Sequence, residues 1–178
     1  MDNVNIPQPV IDILELLHTK SSKAYLVGGC VRDMFMHLEP HDYDICSDLT
    51  PDIAMKVLST KYPVIPKGIE YGTVVALVDG TEYEVTTFRG ETDYSDGRHP
   101  DSVKFVSNIE YDLARRDFTI NAMAYDVSED KLIDPFGGLM DLENGILRAV
   151  GNANERFQED GLRIMRALRF AIKYNLTI

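Results

Sequence analysis

The chain has 178 residues, of which 44% are hydrophobic and 26% charged, and its net charge is -11. This suits one globular domain, or one domain with part of a second, and supplies enough apolar side chains for a sizeable core. The acidic balance argues against general nucleic-acid binding through phosphate neutralisation. However, residues 1–144 carry 12 Lys and Arg against 26 Asp and Glu, whereas residues 145–178 carry 6 against 3. The basic C-terminal segment can therefore begin such a surface.

The first half of the chain alternates between predicted helices and short strands, judged from the spacing of its apolar residues. The glycine pair Gly28-Gly29 joins the first strand to the second helix. The predictions, in chain order, are a helix over 9–20, a strand at 24–27, a helix from Val31, a strand at 42–46, and a helix from Pro51 with Thr50 as its N-cap.

The second half begins with two predicted strands, 73–79 and 81–89, joined by Asp79-Gly80, a strong hairpin signal. A polar stretch over 90–102, rich in turn formers, is predicted to be a mobile loop. The remaining predictions are a helix around 111–123, a strand pair near 123–133, a turn at 134–138 and a final helix from about Asn154.

The final predicted helix carries an apolar stripe that needs a partner. We expect another subunit, or further parts of a longer protein, to cover it. The stripe consists of Phe157, Met165, Leu168 and Ile172.

Targeting signals and cysteine usage indicate where the chain resides. No apolar run approaches the roughly 20 residues of a membrane-spanning helix, and the start MDNVNIPQPV lacks the basic-then-apolar order of a signal peptide. The two cysteines, Cys30 and Cys46, are too few for a disulfide framework and are not spaced as C-x-x-C. We therefore predict a cytoplasmic protein with two small buried cysteines.

Two aspartates stand two residues apart in PHDYDIC, at Asp42 and Asp44. On a strand they would project from the same face and concentrate negative charge, which a hard divalent cation can neutralise. A turn residue followed by a solvated strand residue explains the pattern equally simply.

The stretch LVGGCVRD has a strand, two glycines and the start of a helix. Gly28 and Gly29 allow backbone N–H groups to approach an anion beside a helix N-terminus, although a tight strand-to-helix bend is the simpler alternative. A phosphate-binding turn followed by a pair of metal-binding carboxylates indicates nucleotidyl transfer.

The stretch RRDFTINA contains Arg116, Asp117 and Asn121. On one helix at 100° per residue, Arg116 and Asn121 would lie about 140° apart, so they need a bend in order to act together. Asp117 and Asn121 are able to bind hydroxyls and Arg116 is able to bind phosphate, whereas the alternative is an Arg-Asp surface pair.

In EDGLR, Asp160 and Arg163 are three residues apart and are neighbours on a helix. The pair is either an ion pair worth a few tenths of a kcal/mol or an acceptor and a donor that together match the edges of cytosine and adenine. Uracil and guanine present a carbonyl and an N–H in the opposite places, which such a site would reject.

These motifs, in this order, resemble the nucleotidyltransferase head of class II tRNA CCA-adding enzymes and related bacterial poly(A) polymerases. The resemblance runs from about Ala24 to Phe170 and also includes EVTTFR, DGRHP, DPFGGLMDL and ERFQEDGLRIMRALRF. It implies an α+β fold: a nucleotidyltransferase-like mixed β-sheet flanked by helices over 1–144, followed by the start of an α-helical neck over 145–178. Because such enzymes continue into body and tail domains that bind tRNA, we expect this chain to be truncated, to bind tRNA weakly and to turn over poorly alone.

The resemblance also implies the reaction. The chain would add C and A from CTP and ATP to the 3′ end of tRNA, through attack of the primer 3′-hydroxyl on the α-phosphate with release of pyrophosphate. A bacterial poly(A) polymerase and a non-catalytic nucleotide-binding regulatory module remain alternatives, and the sequence does not indicate an oligomeric state.

Roles for individual residues follow from the same resemblance. Two Mg²⁺ ions would be held by Asp42 and Asp44, with Glu84 as a third catalytic carboxylate. The nucleotide-binding residues would be Gly28, Gly29, Arg32, Arg116, Asp117, Asn121, Asp160, Arg163 and Arg166, with Glu159 adjoining the base-recognition pair. The flexible loop linked to the switch from C to A addition would carry Asp96, Arg98 and His99.

Overall fold

A computed structural model describes residues 5–90, 103–159 and 161–178, with the backbone alone at residue 159. Asp160 and most of the predicted loop, with Asp96, Arg98 and His99, lie outside the described residues. The helices are α1 Gln8–His18, α2 Gly29–Phe35, α3 Pro51–Leu58, α4 Ile109–Ala114, α5 Gly138–Glu143, α6 Ala153–Glu159 and α7 Leu162–Tyr174. The strands are β1 Ala24–Val27, β2 Ile45–Ser47, β3 Val64–Ile65, β4 Thr73–Val78, β5 Thr81–Thr87, β6 Ala124–Asp126 and β7 Lys131–Ile133.

The strands form one mixed sheet in the order β3-β4-β5-β2-β1-β6-β7. β2 and β5 pair in parallel, and the other neighbouring pairs are antiparallel. The predicted hairpin is present, with positive φ at Asp79 (50°) and Gly80 (82°), the conformation that a two-residue hairpin turn favours. The predicted mixed sheet flanked by helices is confirmed.

Apolar side chains bury the two faces of the sheet separately. Leu26 and Ile45 pack with the apolar faces of α1 and α3, whereas Tyr25, Val27 and Cys46 pack with residues of α4. This division follows from the alternation of side chains along a strand. Both cysteines are buried and unpaired, as predicted.

A third apolar cluster seats α7 on the rest of the protein. Ala167 and Phe170 of α7 pack against Phe118, Ile120 and Leu147. The rings of Phe118 and Phe170 meet edge to face, with centroids 5.8 Å apart. This contact brings the basic C-terminal helix beside the sheet.

The apolar stripe predicted on the final helix is divided between two environments. Phe157 packs on the third cluster, whereas Met165 is 64% exposed and Ile172 is 83% exposed. The predicted single helix is also wrong, because the structure has two helices, α6 and α7. Among the described helices, none is long and apolar enough to span a membrane.

The predicted helix around 111–123 is wrong beyond Ala114. Phe118 is extended (φ -124°, ψ 149°), and Thr119–Asn121 then form a single 3₁₀ turn. The backbone here bonds elsewhere: Thr119 N donates to Arg148 O at 2.9 Å and Val150 N donates to Asp117 O at 3.0 Å. These long-range bonds replace the local bonds that a continued helix would need.

The turn formed by DPFGG packs closely against the 3₁₀ turn at Thr119–Asn121. A Cβ at Gly138 would lie 2.2 Å from the carbonyl oxygen of Thr119, so only glycine permits the approach. Asp134 accepts hydrogen bonds from the N–H groups of Gly138 (2.7 Å) and Leu139 (2.9 Å), which satisfies the start of α5. Gly138 thus has a structural explanation in a tight turn.

Candidate active site

One open cleft of about 820 Å³ lies between the sheet and α7. Its described lining includes eight cationic side chains and six carboxylates, although the chain as a whole is acidic. The cations are Arg32, Arg89, Arg115, Arg116, Arg163, Arg166, Arg169 and Lys173, and the carboxylates are Asp33, Asp42, Asp44, Glu84, Asp112 and Asp117. This mixture suits an anionic ligand that binds next to a cation.

Three carboxylates line the cleft beside neighbouring strands. The parallel register pairs Ile45 with Val85, so Asp44 and Glu84, each one residue earlier, lie side by side on the same face of the sheet. The predicted strand at 42–46 begins only at Ile45, and Asp42 lies in a bend with its side chain 86% exposed. The prediction that Asp42 and Asp44 share one strand face is therefore wrong, although both aspartates line the cleft.

The environment of Asp44 favours its protonated form. Partial desolvation by the cleft walls raises the pKa of Asp44 above its ordinary value, and the negative charge of Asp42 adds to the increase, although the positive charge of Arg116 opposes it. The residue remains open to solvent within the cleft. A bound cation would therefore be stabilising here, because it would offset the cost of the charged form.

Arg116 is fixed by a buried carboxylate. Its Nε and Nη2 donate to Oδ1 of Asp112 at 3.2 and 3.0 Å, and Oδ2 of Asp112 accepts from the backbone N–H of Arg89 at 2.8 Å. Burial would raise the pKa of Asp112, but the charges of Arg116 and Arg115, together with the hydrogen bonds from Arg89 and Arg116, hold that pKa below its ordinary value. Asp112 thus stays ionised and holds Arg116 in place.

The glycine turn is required by the position of Arg116. Gly28 has φ +74°, and a Cβ there would lie 2.8 Å from Nη1 of Arg116. Any larger residue would be strained and would displace the guanidinium. The turn therefore permits a close approach between the end of β1 and a fixed positive charge.

The extended residue Phe118 supplies the bend that Arg116 and Asn121 need. Nδ2 of Asn121 donates to Oδ1 of Asp117 at 3.2 Å, and Oδ2 of Asp117 forms an ion pair with Nη2 of Arg166 at 2.7 Å. Arg32 joins them by donating from Nη1 to Oδ1 of Asn121 at 2.5 Å. Four residues singled out from the sequence thus meet at one wall of the cleft.

Helix α7 supplies a basic wall. Arg163 is 7% exposed, lines the cleft and donates from Nη1 to the carbonyl of Arg156 at 2.9 Å. Arg156 in turn donates from Nη2 to the carbonyl of Ala114 at 2.9 Å, which ties α6 to α4. Because its predicted partner Asp160 lies outside the described residues, the base-recognition pair stays a prediction.

Several lining residues were not predicted from the sequence. Arg169 and Lys173 follow the predicted Arg163 and Arg166 at intervals of three or four residues, a spacing that places all four near one face of a helix and would have revealed them. Asp112 stands four residues before Arg116, a helical ion-pair spacing. No local signal identifies Tyr174.

The profile of the poly(A) polymerase head domain matches residues 24–148. The chain belongs to this head-domain family. A CCA-adding enzyme of Ligilactobacillus salivarius is 48% identical to the chain over 177 residues, which cover 98% of the chain and 43% of that protein. The chain therefore spans less than half the length of this relative.

Solved structures of similar enzymes share the fold of this chain. The crystal structure of the Bacillus stearothermophilus CCA-adding enzyme in complex with CTP has a TM-score of 0.80 at 40% identity, and the match covers 93% of this chain and 40% of that one. A tRNA nucleotidyltransferase complexed with a primer tRNA and an incoming ATP analog has a TM-score of 0.72 at 32% identity over 92% of this chain and 45% of that one.

Members of this head-domain family generally use a divalent metal. The donor chemistry of the cleft fits one, because Asp42, Asp44 and Glu84 offer hard oxygen ligands. Within 5–90, 103–159 and 161–178, no group of three or more His, Cys, Asp and Glu side chains is placed to hold a metal unaided. A metal here would complete its coordination with water or phosphate oxygens, as Mg²⁺ usually does.

Proposed function

We propose that the chain is the nucleotidyltransferase portion of an enzyme that adds C and A from CTP and ATP to the 3′ end of tRNA. The observation that supports this best is that a single cleft is lined both by Asp42, Asp44 and Glu84 and by the basic wall of α7. The names of the relatives, CCA-adding enzymes at about half identity, agree with the proposal. In this proposal residues 1–144 are the head, residues 145–178 begin the neck, and the enzyme acts in the cytoplasm.

The carboxylates would hold the metal, which we propose to be Mg²⁺. Asp42 and Asp44 would bind it, with Glu84 as the adjoining catalytic carboxylate. When bound, the metal offsets charge on the attacking and leaving oxygens. The protein's own contribution is the positive charge of Arg116, which favours the ionised form of Asp44 and partly offsets the desolvation that raises its pKa.

The other cleft residues would bind the nucleotide by its parts. The Gly28-Gly29 turn and Arg116 would face the phosphates, while Asp117 and Asn121 would bind ribose hydroxyls. The primer 3′-oxygen would form a bond to the α-phosphorus as the bond to the bridging oxygen of the leaving pyrophosphate breaks. Arginines that the protein already holds in place would stabilise the negative charge that develops on the phosphate oxygens, without having to reorganise during the reaction.

Base selection would fall to Arg163, in the first turn of α7, and to Asp160. Arg163 would donate to the acceptor and Asp160 accept from the amino group that cytosine and adenine share, with Glu159 adjoining and Arg166 nearby. The roles of Asp96, Arg98 and His99 in switching from C to A stay predictions.

Calorimetric titration of the four ribonucleoside triphosphates with Mg²⁺ tests this proposal without a tRNA. We expect CTP and ATP to bind more tightly than UTP and GTP, and Asp160→Ala to remove that preference. Glu155→Ala is the matched control, since this exposed residue belongs to α6 and does not line the cleft.

Two outcomes would contradict it. Equal binding of all four nucleotides would refute the base-recognition role, and binding of ATP without CTP would favour a poly(A) polymerase, after which the matched head domain is named.

A further inference from the structure

The guanidinium of Arg32 is held by three groups of the protein. Nε donates to Asp33 at 2.9 Å, Nη1 to Oδ1 of Asn121 at 2.5 Å and Nη2 to the hydroxyl of Tyr174 at 2.7 Å. The side chain is 7% exposed, and its guanidinium carbon lies 4.5 Å from the ring centroid of Tyr174 and 5.4 Å from that of Phe170. The flat fork of donors is therefore committed to one orientation.

Tyr174 holds Arg32 from α7. It is the last residue of the helix, and its hydroxyl accepts from Arg32 and donates to Oδ1 of Asp33 at 3.3 Å. The next residue, Asn175, ends the helix in the left-handed conformation, and the N–H of Thr177 then donates to the carbonyl of Gly145 at 2.7 Å. The hydroxyl is thus held at a fixed place relative to α2.

Asn121 carries this constraint into the cleft. An amide has one acceptor oxygen, and because that oxygen accepts from Arg32, the NH₂ group faces Asp117 at 3.2 Å. Asp117 in turn pairs with Arg166. Since Tyr174 and Arg166 both belong to α7, these five side chains form a closed path that leaves the helix at one point and returns to it at another.

We propose that Tyr174 is a positioning residue for nucleotide binding. Acting through Arg32, its hydroxyl fixes the amide of Asn121 and so couples the ribose-binding edge of the cleft to the seating of α7. The effect that we expect on nucleotide affinity rests on the proposed function. The same path means that bound nucleotide and the position of α7 favour each other reciprocally.

The test uses Tyr174→Phe, which keeps the ring over Arg32 and removes only the hydroxyl. We expect affinity for CTP to fall about three- to tenfold, the size that the loss of one typical hydrogen bond produces. Tyr62→Phe is the matched control, because it removes a hydroxyl that donates to Asp12 at 3.2 Å outside the cleft. The control should bind CTP as the unchanged chain does.

A double-mutant cycle separates positioning from a general structural role. In an Asn121→Ala background, Tyr174→Phe should change CTP affinity by less than about twofold, because the amide that it positions is gone. Equal losses in both backgrounds would overturn the proposal, and so would an unchanged affinity of Tyr174→Phe in the natural background.

A readout without nucleotide keeps this inference distinct from the proposed function. The side-chain amide resonances of Asn121 in the free protein should shift in Tyr174→Phe and stay in place in Tyr62→Phe. Unshifted resonances in Tyr174→Phe would overturn the positioning role even if the chain bound CTP well. If the unchanged chain bound no nucleotide, the proposed function would fail and these resonances would still decide the role of Tyr174.

Discussion

Replacing Asp112 by asparagine should destabilise the protein strongly. Asp112 is 1% exposed and accepts three hydrogen bonds, two from Arg116 and one from the N–H of Arg89. Asparagine has one acceptor oxygen, so its NH₂ group would face at least one of these donors. It would also leave the charges of Arg116 and Arg115 uncompensated.

The expected loss is about 3 kcal/mol, because breaking a buried ion pair on one side costs about 3–5 kcal/mol and both arginine partners keep some contact with water. Their side chains are 21% and 18% exposed, which favours the low end. Urea unfolding followed by circular dichroism measures this loss, and the melting temperature should fall by about 6–12 °C. Glu82→Gln is the matched control, since it removes one charge from an exposed pair with Lys67 and should cost no more than about 1 kcal/mol.

The loss of stability in Asp112→Asn should also depend on pH. Because the folded pKa of Asp112 lies below its unfolded value, its charge stabilises the fold fully above the unfolded pKa, and this contribution is lost as the pH falls through the folded pKa. The difference between the natural chain and Asp112→Asn should therefore stay constant down to about pH 5 and shrink below about pH 4. A loss no larger than that of Glu82→Gln, or one that grows in acid, would refute the account.

Two further predictions concern the cleft. Gly28→Ala should lower the free energy of unfolding in urea by about 1–3 kcal/mol, because Gly28 has a positive φ. The loss should exceed that of Gly80→Ala, because a Cβ at residue 28 would meet Arg116 whereas one at residue 80 would meet nothing within 4 Å. Equal losses would show that the contact with Arg116 is unimportant. In metal-free protein, NMR titration of the side-chain carboxyl carbon of Asp44 should give a pKa above the ordinary value of 3.8, because the cleft desolvates the carboxyl group. That of Asp12 should titrate below 3.8, because a lysine hydrogen-bonds to it, and the opposite order would contradict the electrostatic description.

The fold was predictable where local pattern and tertiary structure agree. The hairpin at Asp79-Gly80 depends on backbone conformations that these residue types favour, and the strand at 24–27 depends on a continuous apolar run. The mixed sheet followed from the family resemblance, because the parallel pairing of β2 with β5 leaves no local signal.

The site was predictable in its residue types and less so in its geometry. The need for a bend between Arg116 and Asn121 was evident from helical spacing, but the partners of the bent backbone, Arg148 and Val150, lie about 30 residues away along the chain. Tyr174 is separated from Arg32 by 142 residues, and nothing in the sequence near either one links them.

The contrast between an acidic chain and a cleft rich in arginine affects how ligands arrive. A net charge of -11 repels polyanions at long range, whereas the cationic walls attract them once they come close to the opening. The acidic parts of the surface thus repel nucleic acid. This repulsion disfavours non-specific RNA binding and needs no specific contact. Added salt would screen the repulsion and the attraction together, so higher ionic strength should relax the discrimination against stray polyanions.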